Sequence, residues 1–496
     1  MSLKLGITRL SIASISPMCV FSLRFVRTII LSHMLSPNNL GAAVALMTIL
    51  AGCELITDVG LDRFVIVNAG KDRAQAVAVA QQVALGRAIF LAAAIVLFSP
   101  QLAGVFGASE HLKGVAWLGL VPLIFAFRNW RLIQVQQDYR YGPEAVTTVC
   151  GQIAGVALVF PAAVWFRDER AILVSLIAEA VVHVALSNVL IRRERVAYVD
   201  AAMRKAVFKW GLPLMVNGVG LMAVKQLDQV IVANLFDLRT LALYALGMNL
   251  AITPTAPLQA IGQKVGLPFL ANAKGSPQMA RQAALFAVLA AACTGAAYAL
   301  PVGLVLDQLV PLLYGRQYQI TEAFCALAMV DAFLRFSRGG PNLILLHHGL
   351  TSRLTVGNMV AGIGTMIGLG LGYWSGRLEA VMVGLVIGDF ISLVLLLALL
   401  RQHLSVAKAM LHTGVLTATL GTAAVAIWAG GDLGVAERVL VFVLGGVVIA
   451  LDVAVVFLQV GRDFMPRSAQ LVTRNVVPAQ SRPAVATVAV SNEPPA

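Results

Sequence analysis

Many ionisable side chains of this sequence lie within long apolar stretches. The basic ones are Arg24, Arg27, Arg63, Arg87, Arg128, Arg131, Lys225, Lys264, Arg335 and Arg338, and the acidic ones are Glu54, Asp58, Asp62, Glu179, Asp228, Asp331, Asp389 and Asp452. An ionised side chain at the centre of a bilayer costs roughly 2.5–3.5 kcal/mol on an insertion scale. Because lipid exposure of all of them would be too costly, we expect a water-filled space between helices that holds them.

Two cationic positions are matched between the halves of the chain. Arg24 and Arg27 lie one turn apart on the first apolar stretch and share a face if it is helical. Lys225 and Asp228 occupy the corresponding place on the seventh stretch. Guanidinium and ammonium groups pair strongly with phosphate oxygens, so two such helices around one cavity would attract a diphosphate. The alternative for Arg27 is that it extends to the outer lipid headgroups.

Three carboxylates follow one another at intervals of four residues. Glu54, Asp58 and Asp62 would lie on one face of a continuous second helix. Such a stripe could bind protons or a cation. It could equally be neutralised by Arg63 or by the arginines of the first helix.

A second helical face carries Asp331, Arg335 and Arg338. Asp331 and Arg335 are spaced to pair within one helix, which would leave Arg338 unpaired. Asp389 and Asp452 are single acids in the middle of apolar stretches. They are candidates for ion coupling or for protonated, hydrogen-bonded acids.

The remaining polar positions have less specific interpretations. Arg128 and Arg131 fall near the end of the fourth stretch and are predicted to extend to the headgroups. His347 and His348 fall in a hinge and are predicted to be solvated. The five cysteines lie in apolar stretches without metal-binding spacing and are interpreted as packing residues. We find no Walker A, GxSxG or HExxH motif, so neither an enzyme nor a cofactor or metal site is predicted.

The elements that hold these charges are predicted to be membrane-spanning helices. Hydrophobic residues make up 59% of the chain and charged residues 12%, and the mean hydropathy is +0.84. A soluble protein carries roughly 25% charged residues. Stretches such as 88–99 do not alternate as barrel strands would. The fold class is therefore an all-α polytopic membrane protein.

The apolar stretches are long enough for about 14 spans. Their approximate limits are 6–33, 39–68, 74–99, 112–135, 144–166, 171–191, 207–235, 241–270, 280–306, 321–346, 355–374, 379–399, 407–428 and 435–460. The stretches near Pro254 and Pro341 are broken, so the count lies between about 12 and 14.

The charge of the loops predicts the orientation. One set of alternate loops holds roughly 20 lysines and arginines and the other roughly 7, which places both termini in the cytoplasm. The first stretch is interpreted as a retained span and not a cleaved signal. The net charge of +13 is scattered over short loops, which argues against nucleic-acid binding.

A weak internal repeat divides the chain. Residues 32–46 and 233–247 align at one offset, which also places Arg24 on Lys225. We expect two parallel six-helix lobes, 1–206 and 207–406, with a cavity between them.

Two further segments follow the lobes. An extra helix pair is expected at 407–461. A disordered cytoplasmic tail rich in Pro, Ser, Ala and Val is expected at 462–496.

Several short segments carry a family resemblance. They are LSPNNLGAAVAL at 35–46, ELITDVGLDRFVIV at 54–67, GLPL at 211–214, LDQVI at 227–231, Tyr244–Ala245, Pro254–Leu258 and LLYGRQY at 312–318. With them the chain resembles the polysaccharide-transporter or lipid-linked oligosaccharide flippase family, in the superfamily that also contains multidrug and toxin extruders. The resemblance covers most of 6–400.

The resemblance implies a function and a set of site residues. It implies alternating access between two six-helix bundles, with a cationic lumen that holds the diphosphate of a polyprenyl-linked oligosaccharide. The basic residues that would serve there are Arg24, Arg27, Arg87, Lys225, Lys264, Arg335 and Arg338. The candidates for ion coupling are Glu54, Asp58, Asp62, Asp228, Asp331 and Asp389.

The expected setting is the bacterial inner membrane. The partners implied there are membrane lipids and polysaccharide polymerase or assembly proteins, in exopolysaccharide, O-antigen or capsule synthesis. The alternatives are a cation-coupled multidrug exporter and a membrane enzyme that polymerises lipid-linked sugars. Short external loops argue against the enzyme.

Overall fold

The computed structural model describes residues 3–67, 73–107, 114–138, 140–192, 201–272, 277–429 and 434–474 of the chain. Every regular secondary-structure element assigned within these ranges is a helix. The first half contains α1 (Leu3–Met34), α2 (Pro37–Ile56), α3 (Leu61–Val67), α4 (Arg73–Leu97), α5 (Ser99–Gly104), α6 (Leu120–Phe125), α7 (Arg131–Gln134), α8 (Gly142–Phe166) and α9 (Arg170–Leu190). Short 3₁₀ helices at Val115–Gly119 and Val135–Asp138 flank α6 and α7.

The second half continues as a set of longer helices. They are α10 (Ala201–Lys225), α11 (Leu227–Leu235), α12 (Leu238–Ile252), α13 (Thr255–Asn272), α14 (Pro277–Tyr314), α15 (Glu322–Ser337), α16 (Gly339–His347), α17 (Thr351–Ser375), α18 (Leu378–Leu399), α19 (Val406–Ala429) and α20 (Val435–Arg474).

The helices confirm a polytopic membrane protein. Twelve segments of the described chain are long and apolar enough to cross a bilayer. Their outward faces carry bulky apolar side chains, as in Trp165 and Trp374, which are 83% and 87% exposed. A surface of this kind is suited to lipid and not to water.

Two of the fourteen predicted spans are not among these twelve segments. The fourth corresponds to α6, α7 and their flanking 3₁₀ turns, and the tenth to α15 and α16, which meet at Arg338. The count of 14 therefore stays a prediction.

Three apolar cores hold the helices together. The first joins the two halves of the chain through residues such as Leu46, Ile172, Leu241 and Tyr314. The second lies among α14 to α16 and α18 to α20. The third, smaller core joins α3, α4 and α10 through Phe64, Val79 and Val207.

The predicted carboxylate stripe is wrong because its helix is interrupted. α2 ends at Ile56, and residues 57–60 form a turn before α3 begins. Gly60 has φ +64°, a conformation that glycine adopts without the steric cost of a side chain. Glu54, Asp58 and Asp62 therefore lie on α2, in the turn and on α3, and not on one helical face.

The structure contains matching helix ends in the two halves. Ser36 caps α2 and accepts a hydrogen bond from the Asn39 amide, and Asp237 caps α12 and accepts one from the Thr240 amide. These two pairs correspond at the offset of the sequence repeat. The match supports the repeat, whereas the boundaries of the lobes stay a prediction.

The extra helix pair packs on α14. The guanidinium of Arg438 on α20 makes two hydrogen bonds, of 2.7 and 2.6 Å, to Asp307 on α14. A side chain at Gly445 would meet Leu300 at 2.8 Å, and Cys293 Sγ lies 3.8 Å from Asp452. Along α20 these contacts recur every seven residues and run antiparallel to α14, so α20 presents one continuous face to it.

The end of α20 corrects one expectation. The predicted disordered tail begins at 462, but α20 continues to Arg474. Pro466 lies within this helix, and the residues that follow it at 467–474 include two arginines, an alanine, a glutamine and a leucine, which favour helix. Residues 475–496 lie outside the described residues.

Candidate functional site

Ten of the eighteen charges predicted to lie within the membrane form two clusters, one in each half of the chain. The N-terminal cluster comprises Arg24, Arg27, Glu54, Arg87 and Glu179. The C-terminal cluster comprises Asp228, Tyr244, Asp331, Arg335, Arg338, Asn358 and Asp389.

Arg27 is bound inside the N-terminal half. Its side chain is 7% exposed, and Nη1 lies 3.0 Å from Glu179 Oε2 on α9 and 3.5 Å from Ser175 Oγ. Gln152 on α8 donates to the other Glu179 oxygen. Arg27 therefore links α1 to α9 and does not extend to the headgroups.

Arg87 binds the carboxyl end of α2. Its Nε donates to Thr57 Oγ1 and its Nη2 to the Glu54 carbonyl, both at 3.0 Å. A cation at a helix C-terminus is favoured by the unpaired carbonyls and the helix dipole. Arg87 thereby stabilises the break that separates Glu54 from Asp58.

Glu54 interacts electrostatically with several charges. Its side chain is exposed. Its carboxylate is attracted by Arg87, Arg24 and Arg128 and repelled by Glu179. These four residues come from four different segments, so charges from across the N-terminal half act on Glu54.

Asp58 and Asp62 have local partners. Asp58 Oδ1 accepts a hydrogen bond from the Gly60 amide at 2.9 Å and shapes the turn. Asp62 forms an ion pair with Arg128, whose guanidinium lies 3.9 Å from the centre of the Trp130 ring. Arg128 is therefore held by protein groups, contrary to the predicted extension to headgroups.

Two further basic residues near these segments differ in their surroundings. Arg131 Nη1 donates to the Arg192 carbonyl at 3.1 Å, which is also a contact within the protein. Arg63 is exposed on α3.

The C-terminal cluster begins at the break between α10 and α11. Asp228 lies in the first turn of α11, is 7% exposed, and accepts hydrogen bonds from Tyr244 Oη at 2.6 Å and from the Gln229 amide at 2.9 Å. Lys225, at the end of α10, is exposed. The break at Gln226 thus separates two residues that a continuous helix would place one turn apart.

Asp331, Arg335 and Asp389 are the centre of this cluster. Arg335 Nε lies 2.9 Å from Asp331 Oδ2, as its spacing predicts, and 3.1 Å from Asp389 Oδ2 on α18. Arg335 also attracts Asp228 across the cluster.

Arg338 completes the link between helices. It forms an ion pair with Asp389 and donates from Nη2 to Asn358 Oδ1 on α17 at 3.0 Å. The predictions that Arg338 is unpaired and that Asp389 is isolated are therefore wrong. The partners come from α17 and α18, which sequence spacing within α15 could not indicate.

Asp452 is also paired. Its Oδ1 lies 2.6 Å from His412 Nδ1 on α19, and both side chains are buried. His412 was not among the predicted site residues. Its only signal was a histidine in an apolar stretch of the extra helix pair.

A third histidine joins the two predicted to be solvated. The rings of His347 and His348 are 5.1 Å apart, and His348 stacks on His403 at 4.0 Å. His348 is exposed and His347 is half-buried, so the prediction of solvation holds for His348 only.

The predicted phosphate-binding residues thus fall into two groups. Arg27, Arg87, Arg335 and Arg338 are engaged by protein oxygens. Arg24 and Lys225 are exposed and have no acidic ion-pair partner among the residues that the structure describes. The side chain of Lys264 lies outside the described residues.

Comparison with known proteins gives both a family and a fold. The family model described as "Polysaccharide biosynthesis protein" matches residues 30–322. No curated protein matches the chain by sequence.

Several solved structures share the fold. One is the lipid II flippase MurJ in an inward closed conformation, with a TM-score of 0.64, 11% identity, and 90% of this chain and 98% of that chain covered. An inward-facing multidrug resistance MATE transporter has a TM-score of 0.55 and 17% identity, with 83% of this chain and 99% of that chain covered. The MATE transporter DinF-BH in complex with R6G has a TM-score of 0.56 and 15% identity, with 81% of this chain and 95% of that chain covered.

Proposed function

Because the chain belongs to the polysaccharide biosynthesis protein family, we propose that it is a flippase for a polyprenyl-diphosphate-linked oligosaccharide. It moves this lipid from the cytoplasmic to the periplasmic leaflet of a bacterial inner membrane. The product would feed exopolysaccharide, O-antigen or capsule synthesis, where polymerase and assembly proteins are the expected partners. The likeness in fold to a structure named as a lipid II flippase supports a lipid-linked cargo.

One observation carries the proposal most directly. Arg24 and Lys225 are equivalent in the repeat, and both are exposed and form no ion pair in the described part of the chain. Glu54 attracts Arg24 but forms no ion pair with it. An unpaired cation within a membrane-spanning segment is costly unless a ligand or water compensates it. A diphosphate with one cation from each half would supply that compensation.

The proposed mechanism is alternating access between the two halves. Arg24 is on α1 and Lys225 is at the end of α10, so a diphosphate bound to both would bridge the halves. The loop charges predict that both termini are cytoplasmic, which sets the direction of transport proposed here.

Export of cationic drugs is the second candidate. Two MATE transporters share the fold, and the exposed Glu54 carboxylate could attract a cation. Against it, Asp58 and Asp62 are engaged by a turn and by Arg128, so the acidic stripe that would favour a cationic cargo is absent from the described structure. The flippase is therefore the preferred function.

The lipid-linked intermediates of cells that lack the protein test the proposal. Cells would be complemented with the wild type, with Arg24→Ala plus Lys225→Ala, and with the control Arg63→Ala plus Lys209→Ala, which removes two exposed cations elsewhere. A polyprenyl-linked oligosaccharide should accumulate on the cytoplasmic side and be cleared by the wild type and the control but not by the double variant.

The opposite pattern identifies the alternative. Normal intermediates in cells that have become sensitive to cationic dyes would reject the flippase in favour of drug export. A double variant that clears the intermediate as well as the wild type would remove Arg24 and Lys225 from the site.

A further inference from the structure

The charged groups that the structure describes in the C-terminal cluster are odd in number. Three carboxyl groups, of Asp228, Asp331 and Asp389, face two guanidinium groups, of Arg335 and Arg338. If all five were ionised, the cluster would carry one net negative charge. The three acids are 7%, 1% and 5% exposed, and a buried charge without compensation is strongly disfavoured.

The contacts show where the imbalance lies. Oδ2 of Asp331 and Oδ2 of Asp389 lie 2.9 and 3.1 Å from the same atom, Arg335 Nε, so the two carboxyl groups converge on one point. Two ionised carboxylates so placed repel, whereas one neutral and one ionised carboxyl group can share a hydrogen bond. The pair is therefore a place in the cluster where a bound proton would be stabilised.

The contacts of Arg335 point to the same pair of carboxyl groups. Its Nε–H lies between Asp331 and Asp389 and forms a well-directed hydrogen bond with neither. Neither oxygen of Asp331 has a hydrogen-bond donor in the described part of the chain. An O–H on this carboxyl group would donate to Asp389 and supply the missing bond.

Asp228 is the less suitable acid for the proton. It already accepts hydrogen bonds from Tyr244 and from the Gln229 amide, and donors of this kind favour the ionised form. A metal cation is also less suitable than a proton, because two guanidinium groups already contact the Asp389 oxygens and would repel it.

We propose that Asp331 and Asp389 form a proton-binding site, which holds one proton between their carboxyl groups and makes the C-terminal cluster electrically neutral. The described titratable and charged groups that face it are Asp228, Tyr244, Arg335 and Arg338. The proton comes from water on one side of the membrane and returns to water on the other. This coupling role rests on the proposed transport function, whereas proton binding does not.

Loss of the proton would change the contacts between helices. The ionised pair would repel, and α15 and α18 would separate unless Arg335, whose Nε already lies between the carboxyl groups, turned to donate hydrogen bonds to both. Since Asn358 on α17 is held by Arg338, such a movement would reach α17 as well. The site is thus placed to link protonation to helix position.

Infrared spectroscopy of the purified full-length protein in lipid nanodiscs tests proton binding without any sugar substrate. The wild type at neutral pH should show the C=O stretch of a protonated carboxyl group, shifted in D₂O. The difference spectra against Asp331→Asn and against Asp389→Asn should each contain the loss of this band. Asp62→Asn, the same change at an exposed ion pair, should leave it. Difference spectra without a protonated-carboxyl band for either buried variant would overturn the site.

Flipping in proteoliposomes tests the coupling role separately. A polyprenyl-diphosphate oligosaccharide serves as the cargo, with and without a pH gradient. The gradient should change the wild-type rate, and Asp331→Asn should lose that dependence. If the infrared band is present but the wild-type flipping rate does not depend on the pH gradient, the proton site stands and the coupling role is rejected. Absence of any flipping by the wild type, with the band present, would reject the proposed function instead.

Discussion

At the scale of residues, most of the buried charges have a partner on another helix. Arg27 with Glu179 and Arg338 with Asp389 each join helices that are distant in the sequence. Removing one member of a buried pair leaves the other charge uncompensated, which costs more than the pair contributes. These residues therefore respond to single and double substitutions in different ways.

The Arg27–Glu179 pair gives the first prediction. Arg27→Met should lower the free energy of unfolding by about 3–5 kcal/mol because it leaves the Glu179 carboxylate without its cation. Arg27→Met combined with Glu179→Gln should recover much of the loss, since no net charge remains. Thermal unfolding in detergent measures both variants. Equal destabilisation by the single and the double variant would contradict a charge-based pair.

Tyr244 gives a second prediction, on the hydrogen bond to Asp228. Tyr244→Phe keeps the ring, which packs on Phe324 with centroids 6.3 Å apart, and removes only the hydroxyl. Because hydrogen bonds to charged groups contribute about 1.5–3 kcal/mol, the unfolding free energy should fall by that order. Tyr298→Phe is the control, since that hydroxyl donates to uncharged carbonyls, and it should cost less.

At the scale of elements, breaks in the helices decide which charges meet. The sequence predicted the helical fold class because long apolar stretches leave few alternatives in lipid. It did not predict the turn at residues 57–60, since a Gly within a TM helix is common and does not require a break. The pairing of Asp331 with Arg335 was predictable from spacing, whereas the contact with Asp389 depends on how α18 packs on α15.

The crossing of α2 and α12 gives a third prediction. A side chain at Gly41 would lie 1.7 Å from the carbonyl oxygen of Leu238, so Gly41→Ala forces the two helices apart. This variant should unfold at a clearly lower temperature than the wild type. Gly86→Ala on α4, where no atom lies within 4 Å, should match or exceed the wild type because alanine favours helix. Unchanged stability of Gly41→Ala would show that the helices do not cross at this point.

At the scale of the whole molecule, hydrogen bonds join the two halves at one end of the bundle. His33 at the end of α1 contacts the Leu313 carbonyl at 3.0 Å, and Gln317 donates to the Ser32 carbonyl at 3.0 Å. Asn234, on α11 after the break at Gln226, donates to the Val105 carbonyl at 3.2 Å. The charge pattern predicts this end to be periplasmic. If the halves move against each other, these bonds must break when the molecule opens there.

The face of α20 on α14 is expected to behave differently from this junction. Its contacts lie within the second core and combine an ion pair, a close packing at Gly445 and a buried polar contact. Packed cores of this kind move as units. The extra helix pair should therefore move together with α14.

Crosslinks at the two places distinguish moving from fixed interfaces, and this is the fourth prediction. A cysteine pair at His33 and Leu313, joined by a short bis-methanethiosulfonate crosslinker that forms a disulfide with each thiol, should stop flipping in proteoliposomes, and a reductant that cleaves both disulfides should restore it. A cysteine pair at Leu300 and Gly445 should leave the rate near that of the wild type when crosslinked, because this interface does not open. Both variants would be built in a chain whose five native cysteines are replaced by alanine or serine. Flipping that survives the first crosslink would exclude opening at that end, and flipping abolished by the second would mean that α20 moves relative to α14 during transport.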